Sequence, residues 1–156
     1  MKNVSHVELD DIDRRLIALL TANARQSNAE LAEAVGIAQS TCLNRVRNLL
    51  QRGVIRGFMA DVNPQALGLG LQVLISVTLR AGARQQLSQF MQEMRELPEV
   101  VQMFFLGGAE DFIIHLAVED SDHVQRFVLA NLSGNPAVAN TRTNLVFEHF
   151  HKGPLA

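Results

Sequence analysis

Two stretches of this 156-residue chain carry side chains whose types and spacing suit molecular recognition. The first runs from Gln39 through Ser40, Thr41, Asn44, Arg45 and Arg47 to Asn48. Hydroxyls and amides near the start of a helix can reach base edges or phosphates, and guanidinium groups make bidentate contacts with guanine or phosphate. The surrounding window, Ala34 to Ala60, holds Arg45, Arg47, Arg52 and Arg56 and no acid. It would present a positive surface to a phosphate backbone if those side chains share a face. Any exposed helix face is polar, so the face alone favours an ordinary solvated helix. Three neighbouring features turn the balance toward DNA: a compact preceding helix, a glycine turn between the two, and the acid-free arginine window. The candidates for contact with double-stranded DNA are therefore Gln39, Ser40, Thr41, Asn44, Arg45 and Arg47.

The second stretch is the turn Leu106-Gly107-Gly108-Ala109-Glu110-Asp111. Glycines let backbone amides approach a carboxylate closely, and Asp111 could pair with an amino group; a free amino acid carries both charged ends. Gly-Gly between two strands is also a common hairpin turn, and Asp111 could equally cap that turn. Gly107, Gly108 and Asp111 are the candidates for binding a small effector.

Catalytic chemistry finds no support. The five histidines, His6, His115, His123, His149 and His151, are scattered, and only the last two are close neighbours. Those two alternate along an expected strand and offer two ligands where a zinc site usually needs at least three. Cys42 falls on the apolar side of its helix and reads as core. No phosphate-binding glycine loop and no nucleophile elbow occur, so no catalytic residue, metal site or cofactor is expected. A small dimeric ferredoxin-like enzyme with a helical partner-binding appendage is the alternative from another functional class.

Composition is compatible with both. The net charge is −2 and 47% of residues are hydrophobic, ample for packed cores. Lys and Arg outnumber Asp and Glu eight to seven before Asn63, and are outnumbered six to nine from there on. A lone cysteine cannot close an intramolecular disulfide, and Met1 to Arg14 is too polar for a secretory signal. No apolar run approaches the ~18 residues of a spanning helix. The expected location is the cytoplasm, with no membrane association.

The elements that must position these residues follow from periodicity and capping. Acids at Asp10, Asp11 and Asp13 suit the positive end of a helix, along which Ile12, Leu16, Leu19 and Leu20 recur at helical spacing. Ser27-Asn28-Ala29-Glu30 is a capping box that opens a short helix to Val35. Gly36 supplies the left-handed residue that ends it. A third helix, about Gln39 to Arg52, places Cys42, Leu43, Val46, Leu49 and Leu50 inward. Val54 to Val62 alternates as a strand, and Asn63-Pro64 closes the segment.

Beyond a short connection at Pro64 to Gly70, the pattern is strand, helix, strand, strand, helix, strand. Leu71, Val73, Ile75, Val77 and Leu79 alternate with Gln72, Leu74, Ser76, Thr78 and Arg80, and Leu87 to Leu97 has helical spacing up to Pro98. Val100 to Leu106 and Phe112 to Val118 are strands, Asp120-Ser121-Asp122 starts a helix that Gly134-Asn135-Pro136 ends, and Val138 to Phe150 is a long last strand. The expected class is α+β: a three-helix, winged-helix-like helix-turn-helix domain at 1–63, a hinge at 64–70, and a ferredoxin-like βαββαβ domain at 71–156. Leu74, Phe104 and Val146 lie on the sheet face away from the helices, and apolar residues there predict a homodimer formed through the sheets.

Leu9-Asp10 with Asp13, Glu30-Leu31-Ala32, Val35-Gly36, Cys42, Arg45-Val46, Leu49, Gly53-Val54-Ile55 and Leu67-Gly68 together resemble the leucine-responsive regulator/AsnC family. The resemblance implies a transcription regulator whose third helix enters the major groove and whose following strand is a hinge to a sensor domain. Ala38 departs from it, standing where a serine usually caps the third helix, so that either Ser40 starts the helix later or the helix start stays frayed until DNA arrives. The resemblance also matches Gly108 and Asp111 to the family's sensor-domain turn, adds Thr141 and Thr143 as residues lining the same cleft, and implies dimers that assemble further, often into octamers. An amino acid is the expected effector.

Overall fold

The computed structural model describes residues 8–150. The expectations for His6 and His151, and for the outer ends of both domains, lie outside the described residues. The chain divides into two compact units, one reaching Ala60 and the other spanning Asp61–Phe150. The Pro64–Gly70 connection, which contains a short 3-10 turn at Pro64–Leu67, belongs with the second unit.

The first unit contains α1 (Asp11–Ala22), α2 (Asn28–Val35) and α3 (Gln39–Gln51). Asp10 caps α1 by accepting from the Asp13 amide at 2.8 Å. Both halves of the Ser27/Glu30 capping box are made, and the hydrogen bond from the Ser27 amide holds the Glu30 carboxyl below the ordinary carboxylate range. Gly36 has φ 75° and ψ 39°, the left-handed conformation that lets the chain reverse within two residues before α3. Leu16, Leu20, Leu31, Ala32, Val35, Cys42 and Leu49 make the core, and Ile37 packs against it from the turn. Burial pushes the Cys42 thiol pKa up, in keeping with an inert core residue.

Three expectations are corrected here. Leu43 and Leu50 are 40% and 36% exposed, because successive helical residues turn by about 100° and α1 and α2 cover only the Cys42–Leu49 stripe. Ser40 does not restart α3: the helix begins at Gln39 with no side-chain cap. Val54–Val62 forms no strand, since none of its backbone groups finds a ladder partner among the described residues; alternation specifies a strand only where a neighbouring strand exists.

The second unit contains β1 (Leu71–Leu79), α4 (Leu87–Arg95), β2 (Val100–Phe105), β3 (Phe112–Val118), α5 (Ser121–Phe127, continued by a wider π-type turn over Val128–Ser133) and β4 (Val138–Leu145). The sheet is antiparallel with order β2-β3-β1-β4, the ferredoxin-like arrangement. Val73, Ile75 and Val77 pair with Leu116, Ile114 and Phe112. These residues are fully buried in a core closed by Phe90 and Met94 of α4 and by Val124, Phe127 and Leu132. The last strand is shorter than expected: the ladder stops at Leu145, after which the Val146 amide still donates to the Gln72 carbonyl at 2.9 Å.

No helix among the described residues packs on the opposite sheet face. Gln72, Leu74, Ser76 and Thr78 of β1 share that face with Ile113 and His115 of β3 and with Asn140, Arg142 and Asn144 of β4. Phe104 of β2, opposite Ile113, is 45% exposed there.

Candidate nucleic-acid interface and effector site

On α3, Gln39, Ser40, Thr41, Asn44 and Arg47, five of the six predicted DNA-facing residues, are all exposed. Their amide and hydroxyl groups precede the arginine along the helix, the order expected of a helix that meets a groove with its N-terminal turns. Arg45 departs from the expectation. Its guanidinium turns toward the start of α1, where Nη1 donates to Asp10 Oδ2 at 2.7 Å and to Asp13 Oδ1 at 2.8 Å. These bonds push the Arg45 pKa up. The Asp10 carboxyl lies below the ordinary carboxylate range, first because the Asp13 amide donates to it and then because Arg45 does.

Further polar ties cross the helices. Asn28 Nδ2 donates to the Gln39 carbonyl at 2.9 Å, and Arg52 Nη2 donates to the Glu8 carbonyl at 2.8 Å. Arg15 Nη2 donates to the Ala34 carbonyl near the end of α2 at 2.6 Å, where a cation suits the negative helix end. The acid-free window is therefore less positive outwardly than its composition suggests. Arg45 and Arg52 are engaged internally, while Arg47 and Arg56 have no hydrogen bond or ion pair among the described residues.

In the second unit, Leu106 donates to the Asp111 carbonyl at 2.8 Å, closing the Gly107–Glu110 loop. The Asp111 amide donates to the Val77 carbonyl at 2.9 Å, and its carboxylate accepts from the Leu79 amide at 2.7 Å. Asp111 thus fastens the loop to the end of β1. Gly107 and Gly108 are exposed, neither has a left-handed backbone, and a Cβ added to either would meet no atom within 4 Å.

A shallow hollow of about 110 Å³ beside this loop is lined by Ser76, Thr78, Ala109, Glu110, Asn140 and Arg142. Across it Arg142 Nη1 lies 3.6 Å from Glu110 Oε1. Thr141 and Thr143 are not in it: they stand opposite Val77 and Ile75 on the other sheet face. Alternation along β4 puts Asn140 and Arg142 on the hollow's side, a signal present in the sequence that reasoning from the two threonines alone passes over. Away from the hollow, His115 is 5% exposed, with Nε2 2.8 Å from Gln72 Oε1 and its ring centroid 5.5 Å from that of His149. Burial, and then the nearby His149, hold its pKa below the ordinary value. No helix among the described residues is long and apolar enough to cross a membrane.

Comparison with known proteins gives this arrangement its context. Residues 72–155 match the family model of the Lrp/AsnC ligand binding domain, and residues 9–56 match that of a winged helix-turn-helix DNA-binding domain. The chain is 48% identical over 148 residues to the HTH-type transcriptional regulator AldR of Mycobacterium tuberculosis, covering 95% of this chain and 83% of that protein. It is 34% identical over 141 residues to the leucine-responsive regulatory protein of Escherichia coli, covering 90% and 86%. The structure of a transcriptional regulator from Neisseria meningitidis in complex with L-Met matches with a TM-score of 0.82 at 31% identity, covering 95% of this chain and 97% of that one. The chain belongs to the Lrp/AsnC family: it is a DNA-binding transcriptional regulator, not an enzyme, built from a helix-turn-helix unit and a ligand-binding domain.

Proposed function

We propose that the chain binds specific DNA sites as a homodimer and that a free amino acid, bound in the second unit, changes its assembly or its DNA affinity. The observation that carries the DNA part is that Gln39, Ser40, Thr41, Asn44 and Arg47 of α3 are all exposed. In a dimer two such helices enter major grooves about one helical turn apart, or a multiple of it, on a roughly palindromic site. Residues 64–70 serve as the hinge. The protein works in the cytoplasm, where its DNA is.

The amino-acid part draws on Gly107, Gly108 and Asp111 with the hollow between Glu110 and Arg142, and, on the other sheet face, on Thr141 and Thr143. Neither glycine has a left-handed backbone, and a side chain at either would meet no atom of the described residues, so both leave the loop's backbone open to approach by a ligand. The Glu110–Arg142 pair offers one charge of each sign to a zwitterion. The neighbouring structure in complex with L-Met points to the same ligand class. The effector acts only through different affinities for two states.

The homodimer forms through the uncovered sheet faces, around Leu74, Phe104 and Ile113, and such dimers can build octamers. Calorimetric titration with each common amino acid tests the effector, with heat expected from at least one and lost in Asp111→Ala. Heat from none of them removes the amino-acid part. Sedimentation with and without the binding amino acid is expected to show a dimer or a larger closed assembly.

A further inference from the structure

Apolar packing of α3 is confined to a narrow stripe. Only Cys42 and Leu49 of its thirteen residues are buried, and its first turn has no side-chain cap. Three polar ties compensate, at its start, middle and end: Asn28 to the Gln39 carbonyl, Arg45 to Asp10 and Asp13, and Arg52 to the Glu8 carbonyl. The middle tie is the one made of charges. The Asp13 side chain is 11% exposed, that of Asp10 52% and that of Arg45 29%.

This cluster places two carboxylates and one guanidinium, a local net charge of −1, against the flank of a helix that meets phosphates. By Coulomb's law alone it opposes DNA binding. Its geometry gives something in return. Both carboxylates come from the capped first turn of α1, so Arg45 fixes the rotation and tilt of α3 against a rigid neighbour. Arg45 lies four residues after Thr41 and one after Asn44, so a change in its setting moves both. Holding reading groups within a fraction of an ångström of their partners is what makes a site specific.

We infer that Asp10 and Asp13, acting through Arg45, are positioning residues for DNA binding, and that Arg45 is not itself a DNA contact. The inference rests on α3 being the DNA-reading helix. It separates two effects of opposite sign: removing an acid beside a DNA-binding helix should tighten binding electrostatically, whereas loosening the clamp should weaken it.

The test is fluorescence anisotropy of the full chain on a duplex from its own upstream region, at several salt concentrations, for wild type, Asp10→Asn, Asp13→Asn, Arg45→Met and the double variant Asp10→Asn/Arg45→Met. Asp10→Asn is the cleanest, because asparagine caps a helix as well as aspartate does, while an amide nitrogen, a donor, replaces the charged oxygen that accepts from Arg45. Far-UV circular dichroism confirms that each variant is folded at the assay temperature. The expected result is that Asp10→Asn binds about five- to tenfold more weakly, that the double variant is no weaker than Arg45→Met, and that the salt dependence is unchanged throughout. A folded Asp10→Asn that binds as tightly as wild type or tighter overturns the inference. So does an Arg45→Met whose slope of log affinity against log salt falls by about 0.9 per recognition helix, the mark of a direct phosphate contact. Wild type failing to bind would refute the reading of α3 itself, whereas a wild type that binds and is weakened by Arg47→Ala, with no loss in Asp10→Asn, refutes only the clamp.

Discussion

Arg47→Ala isolates the outward charge of α3 from its inward one. Arg47 is exposed, two residues from the engaged Arg45, and has no intramolecular partner among the described residues. Alanine is at least as good a helix former as arginine, so stability should move by less than about 0.5 kcal/mol, as for an ordinary surface change. Binding should move far more. A phosphate contact contributes about 0.9 to the slope of log affinity against log salt, so a dimer using two helices loses about 1.8. If Arg47 reads a base edge, each helix forfeits about 1–3 kcal/mol of discrimination against the wrong base. Anisotropy titrations with cognate and scrambled duplexes at rising potassium chloride measure both quantities, and a thermal melt monitors the fold. Unchanged affinity and unchanged slope in a natively melting variant would remove the exposed face of α3 from the interface.

Other consequences are equally direct. Gly36→Ala forces a side chain into a left-handed backbone at φ 75° and should cost the first unit about 1–2 kcal/mol; an unaltered melting temperature contradicts the assigned turn. His115 titrates below its ordinary 6.5, so the unfolded chain takes up this proton first. The associated stability is complete above pH 6.5, is lost as pH falls from there through the folded-state pKa, and should be absent from the pH profile of His115→Gln. An identical slope in wild type and variant would count against the buried imidazole as its source. Phe104→Glu puts a charge on the uncovered sheet face, at a residue already 45% exposed; the chain should stay folded and sediment as a monomer, and an intact dimer would place the interface elsewhere.

Local signals carried most of the fold. The Ser27/Glu30 capping box and Gly36 punctuate α2 in the sequence as they do in space, because such signals act within one turn of chain. The alternation of Val73, Ile75 and Val77 identified the buried face of β1 for the same reason. Where the expected strand at Val54–Val62 failed, the missing ingredient was a partner strand, which no local pattern reports. Exposure of Leu43 and Leu50 depends likewise on how much of α3 two short helices can cover.

The site was legible only in part, since side-chain identity does not say where a charge points. Arg45 and Arg47 look alike in sequence, yet one meets two carboxylates more than thirty residues earlier in the chain and the other meets solvent. The resemblance points to Thr141 and Thr143, while strand register puts Asn140 and Arg142 beside the hollow and the two threonines on the other sheet face.

The most direct measurement is the affinity of the purified chain for its own upstream duplex in the presence of excess unrelated DNA, followed as salt is raised. A recognition helix that reads bases through its exposed face predicts binding that survives the competitor and weakens steeply with salt. No binding even at low ionic strength, or binding that the competitor abolishes entirely, would contradict it.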